Sequence, residues 1–157
     1  MRQGVRLGID VGRARIGVAR SDRDGLLATP VETVARTWAA DVEPVQSQDL
    51  QRLLALITEL EPVEVIVGLP LSLSGGHTPS TQDALDFAHA LAQVTSVPIR
   101  LVDERLTTTS AQSAMRTTGR STRKQKPVID QAAAVILLQH ALDSERSTGR
   151  EPGQALT

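Results

Sequence analysis

Three acidic positions in this 157-residue sequence could act on one ligand: Asp10, the adjacent pair Asp103-Glu104, and Asp130. Carboxylate oxygens are hard donors that suit Mg²⁺ or Mn²⁺. Two such ions about 4 Å apart can activate a water and stabilise the leaving oxygen of a phosphodiester. No softer ligand set competes. Cysteine is absent, which removes thiolate nucleophiles, disulfides and cysteine-bound metal centres. The three histidines, His77, His89 and His140, are scattered.

Each acid also has a plainer explanation. Asp10 shares a strand face with Gly8 and Gly12, which leaves room for a ligand near the backbone. An Asp leading into a turn is, however, common in itself. Asp103-Glu104-Arg105 ends a strand, and the carboxyl ends of strands are where open α/β sheets build sites. The alternative there is a solvated strand end with Glu104 paired to Arg105 or Arg100. Alternation puts Ile99, Leu101 and Asp103 on one face and Arg100, Val102 and Glu104 on the other, so only one of the two acids easily shares a face with Asp10. Asp130 follows Pro127 at a helix start, where the helix dipole favours any Asp. Yet it lines up with Ala134, Leu137 and Ala141, the stripe expected to face a sheet. An unpaired charge there would be costly, and a metal would satisfy it.

The elements that must position these acids follow from periodicity. Val5–Val11, Ile16–Arg20 and Gly25–Val34 read as three consecutive strands, hence an antiparallel meander. Ser47–Leu60 has helical spacing and stops before Pro62. Val63–Leu69 is a near-continuous apolar run, as in a buried parallel strand. A Gly/Ser/Pro-rich loop (Pro70–Pro79), a helix (Ser80–Val94), a strand (Pro98–Asp103) and a helix (Thr107–Thr118) follow. Gly119–Lys126 reads as a basic loop, and Pro127–Ser144 as the final helix. The expectation is one mixed α/β domain over residues 1–147, with a five-stranded sheet flanked by helices and a loose tail at 148–157.

Composition is that of an ordinary globular protein, 40% hydrophobic and 22% charged. No apolar run reaches spanning length, and the N-terminal residues lack a secretory pattern, so a cytoplasmic location with no membrane partner is expected. Net charge is −1, but its distribution is uneven. Between Glu104 and Asp130 there is no acid and there are six cations: Arg105, Arg116, Arg120, Arg123, Lys124 and Lys126. Arg120, Arg123, Lys124 and Lys126 lead into Asp130, Arg105 adjoins Glu104, and Arg13 and Arg15 follow Asp10. All are candidates for neutralising phosphates beside the acids. Trp38 and Phe87 read as packing residues.

Four segments, in order, resemble one family. They are Leu7-Gly8-Ile9-Asp10-Val11-Gly12 with Arg15-Ile16-Gly17-Val18-Ala19; Val67-Gly68-Leu69-Pro70-Leu71 with Ser74-Gly75; Val102-Asp103-Glu104-Arg105-Leu106-Thr107-Thr108; and Lys126 through Ile129-Asp130 with Ala132-Ala133 and Ile136-Leu137-Leu138-Gln139. Together they resemble the YqgF/RuvX family, described as Holliday junction resolvases and as pre-16S rRNA nucleases. The resemblance implies an RNase H-like fold and selects Glu104 over Asp103, giving Asp10, Glu104 and Asp130 as the catalytic, metal-binding set for Mg²⁺ or Mn²⁺. It departs at Ala14, where the family commonly has a basic residue, and at Ser72 and Ser74, where it often has Asn.

The expected function is metal-dependent endonucleolysis of structured RNA or branched DNA, by a monomer or homodimer. The resemblance makes this 5′-end maturation of pre-16S rRNA, Holliday junction resolution, or both. The rival is a non-catalytic RNA-binding factor for ribosome assembly or transcription. A sugar-kinase or actin-like ATPase, which Gly8-Ile9-Asp10-Val11-Gly12 also resembles, would need two such domains, and the chain holds one.

Overall fold

Alternating large and small residues build the centre of the sheet. The structure, a computed structural model, describes residues 1–105 and 122–156, and of 122–130 the backbone alone. Strands β1 (Arg6–Val11) and β2 (Arg15–Ser21) pair antiparallel, and β3 (Ala28–Ala35) extends β2 across a bulge at Val18/Ala19. Strands β4 (Glu64–Leu69) and β5 (Ile99–Asp103) continue the sheet in parallel beside β1. The helices are α1 (Gln48–Leu60), α2 (Pro79–Val94) and α3 (Thr122–Thr148). Helix α1 stops where Glu61 turns left-handed before Pro62, and a Thr78–Thr81 capping box with Pro79 at its first position starts α2. Among the described residues no helix is long and apolar enough to cross a membrane.

The sheet has six strands, in the order β3-β2-β1-β4-β5-β6, rather than the expected five. The sixth, β6 (Gln154–Ala155), pairs antiparallel with β5 and comes from the segment read as a loose tail. Glycine suggested looseness there, but Gly153 takes a positive φ of 62° that brings the chain against Leu101, where a Cβ would overlap the Leu101 carbonyl oxygen. Arg100 holds the same segment, donating to Pro152 O at 2.5 Å and to Gly153 O at 3.0 Å.

Parity divides the core into two layers. Leu7, Ile9, Val18, Val65, Val67 and Leu101 pack with Leu50 and Leu53 of α1 and Phe87 and Leu91 of α2. On the other face Ala19, Ile66 and Val102 meet Ala134, Leu137, Leu138 and Ala141 of α3. There β1 presents Gly8 and Asp10. A Cβ on Gly8 would lie 2.8 Å from the Leu138 Cβ and 3.4 Å from the Ala134 carbonyl oxygen, so this glycine lets the helix backbone close on the strand. Gly8→Ala is expected to lower stability by about 1–3 kcal/mol through overpacking. An unchanged melting temperature would contradict that seating.

Helix α3 starts at Thr122, ahead of the expected Pro127, and therefore includes Arg123, Lys124 and Lys126, expected in a loop. Arg, Lys and Gln are good helix formers, and Pro127 removes a single backbone donor near the helix start. The expected helix Thr107–Thr118 lies outside the described residues.

The far end of the sheet carries a buried ionic cluster. Arg6 is 1% exposed, pairs with Glu145 of α3 at 2.8 Å, and donates to Gly4 O at 2.7 Å. Arg2 bridges Glu145 to Glu64, the first residue of β4. Strand alternation puts Arg6 on the face of Asp10, but no local pattern pairs it with an acid from the last helix.

Candidate active site

Asp10 is the penultimate residue of β1, opposite Gly17 of β2. The β1–β4 register pairs Ile9 with Val67, so its next row sets Asp10 beside Gly68, and Gly68 in turn pairs with Val102 of β5. Glu104 follows β5 by one residue, and its N–H donates to Leu69 O at 3.2 Å, extending the ladder. Parity then returns the Glu104 side chain to the face of Val102 and Asp10. A Cβ on Gly68 would overlap Glu104 Oε2 and lie 3.0 Å from Leu137 Cδ2. The missing side chain at Gly68 is thus the space through which Glu104 reaches Asp10, with Leu137 closing the site from above.

Glu104 is 8% exposed and hydrogen-bonded to Asp10. Desolvation, and then the Asp10 charge and hydrogen bond with a smaller contribution from Asp103, push its carboxyl up to about 9. At neutral pH, Glu104 is therefore protonated and donates to the Asp10 carboxylate. The consequence for stability has a definite sign. The folded state holds this proton between the model value of 4.5 and about 9, whereas the unfolded state releases it. In chelator, the stabilisation is complete below the unfolded value and is lost as pH rises towards 9. Glu104→Gln, which cannot ionise, should therefore gain stability relative to the parent protein between pH 6 and pH 9. Parallel melting curves across that range would disprove the assignment.

Asp103 points away from this pair. Arg105 binds it through Nε at 2.8 Å and its backbone N–H at 3.0 Å. The alternative in which Arg105 or Arg100 neutralises Glu104 is thereby overturned: Arg105 serves Asp103, and Arg100 serves Glu151 and the β6 segment. Arg105 also donates to Leu73 O at 3.3 Å, tying the strand end to the loop before α2. That loop is closed by Ser72 N–H to Gly76 O at 2.9 Å, and Gly75 supplies its left-handed residue at φ 86°.

Asp130 lies on α3 four residues before Ala134, which is fully buried against the sheet together with Leu137; its own side chain lies outside the described residues. So do the side chains of Arg123, Lys124 and Lys126, which occupy the first turns of α3, and the whole of Arg116 and Arg120. Arg15 opens β2 and is half-buried, while Arg13 is exposed in the β1–β2 turn. Among the described residues no group of three or more His, Asp or Glu side chains is gathered to hold a metal. The described site is the Asp10–Glu104 pair. Sequence reasoning did not single out Gly68 as part of it. The available signal was a glycine interrupting the apolar run Val65-Ile66-Val67, which often marks close approach.

Comparison with known proteins places the chain in a family. Residues 4–144 match the RuvX family, described as Holliday junction resolvase. A protein of Clavibacter michiganensis subsp. michiganensis, named "Putative pre-16S rRNA nuclease", is 60% identical, covering 98% of this chain and 91% of its own. One of the same name from Streptomyces coelicolor is 52% identical, covering 99% and 90%. In fold, the chain is similar to Thermus thermophilus RuvC, solved in complex with a Holliday junction substrate, with a TM-score of 0.61 over 98% of this chain and 99% of that one at 18% identity.

Proposed function

The chain belongs to the RuvX family of Holliday junction resolvases, and on that premise we propose that it is an endonuclease whose Asp10, Glu104 and Asp130 hold divalent metal. The observation that carries this reading is the Asp10–Glu104 pair: two carboxyls, one buried, meeting over a glycine at the carboxyl ends of parallel strands. Their donor atoms are oxygens alone, which fits Mg²⁺ or Mn²⁺. Bound metal would polarise the scissile phosphate and lower the pKa of the attacking water. The protein's own part is to fix and desolvate the ligands. A bound cation would take the place of the proton shared by Glu104 and Asp10, so loading at neutral pH should release that proton.

The relatives' shared name favours precursor 16S rRNA as the substrate, and the cations at the start of α3 offer phosphate contacts along the route to Asp130. The test is a cleavage panel containing an RNA that spans the 5′ end of the 16S precursor and a four-way DNA junction, each with Mg²⁺ or Mn²⁺. Metal-dependent cutting of the RNA is the expected result. Junction cutting alone would move the substrate to DNA. Salt-sensitive binding without turnover on either substrate would replace the nuclease by a binding factor.

A further inference from the structure

Arg13, read as a phosphate contact beside Asp10, lines a cleft of about 360 Å³ with Arg36, Trp38, Asp83 and Asp86. The cleft lies on the α2 side of the sheet, at the end where β1 terminates. Arg36 forms its floor, donating to Gly12 O at 3.0 Å and to the two Asp83 oxygens at 2.9 and 2.8 Å. Gly12 lies in the turn that follows β1, two residues beyond Asp10. Trp38 is a rigid wall: its Nε1 donates to Val42 O at 3.1 Å, and its ring meets Phe87 edge-on at 6.1 Å.

The charges of the lining sort themselves. Arg36 holds Asp83 at 2.8 Å with Asp49 behind it at 4.0 Å, Arg13 at the rim also acts on Asp83, and Asp86 adds a carboxylate outside these pairs. Asp86 accepts one bond from Gln82, at 2.8 Å, and a carboxylate has room for several more. A matching ligand has a flat ring for Trp38, N–H donors on the ring edge for Asp86, and an anion for Arg13. A nucleotide with an amino-bearing base has all three, and guanine presents N1–H and N2–H together.

We propose that this cleft binds one nucleotide of the strand held at Asp10–Glu104, reading its base through Asp86 and Trp38 and its phosphate through Arg13. The proposal rests on the nucleic-acid reading above and adds base preference to it. Single-stranded bases are read in this way, by stacking and by hydrogen bonds to their exposed edges.

Trp38 is the sole tryptophan and tyrosine is absent, so intrinsic fluorescence reports on the cleft itself. The full chain is titrated with the single-stranded RNAs UUGUU and UUUUU in chelator, which prevents cutting. Saturable quenching is expected, with UUGUU binding about tenfold more tightly. Asp86→Ala should erase that preference. Arg13→Ala should weaken both RNAs equally and flatten the salt dependence. Absence of quenching, or a preference unchanged in Asp86→Ala, overturns the proposal. Cleavage without base-selective quenching would remove the cleft alone, whereas selective quenching without cleavage would remove the nuclease reading and leave the cleft.

Discussion

Asp10→Asn is expected to lose metal-dependent phosphodiester cleavage by about a thousandfold or more, with the fold intact. The substitution keeps the side-chain size but removes the carboxylate whose charge and hydrogen bond raise the Glu104 carboxyl. Without it, the Glu104 carboxyl faces a neutral amide, a poor exchange for part of the hydration shell of a divalent cation. Gly68→Ala should reach a similar loss from another direction. Its new methyl would occupy the position of Glu104 Oε2 and push the carboxyl away from Asp10, although no ligand is deleted. Single-turnover cleavage and calorimetric Mn²⁺ binding check both variants. Parent-like rates in purified Asp10→Asn would mean that the acidic centre lies elsewhere.

The largest stability effect is expected far from the acids. Glu145→Ala leaves Arg6, 1% exposed, without its carboxylate at 2.8 Å, and removes the acid that Arg2 shares with Glu64. An uncompensated buried charge of this kind costs about 3–5 kcal/mol. For a chain of this length that corresponds to a melting temperature lower by about 10 °C. The conservative Glu145→Gln should recover part of the loss by keeping an acceptor for Arg6. If both variants melt with the parent protein, the cluster contributes nothing to holding α3 on the sheet.

The two predictions differ in how far the sequence foreshadowed them. The meeting of Asp10 with one acid of the Asp103-Glu104 pair was legible because a strand has a period of two, and the family resemblance named Glu104. Counting from Ile9 and Leu101 assigns faces without knowing the partner strands, and parity then leaves one member of the Asp103-Glu104 pair able to meet Asp10. The α3 stripe was legible for the same reason at the helical period, and Ala134, Leu137 and Ala141 are buried as spacing required. The Arg6–Glu145 pair was not legible: its members stand 139 positions apart, and no local pattern encodes such a distance.

The sequence by itself determined the strand and helix faces, the succession of the five main strands along the chain, the absence of thiol chemistry and a small set of acids. These are local properties, set by residue type and period. Tertiary structure decided what those faces meet. Parallel placement of β4 between β1 and β5 turned Gly68 from a weak strand residue into the opening between two carboxyls. Burial under α3 then turned Glu104 from a strand-end acid into one that holds its proton at neutral pH. Packing also gave Gln154 and Ala155 a strand to pair with and closed Arg13, Arg36 and Trp38 around one cleft. Each of these depends on chain segments brought together from distant positions, and on the desolvation that only their contact produces.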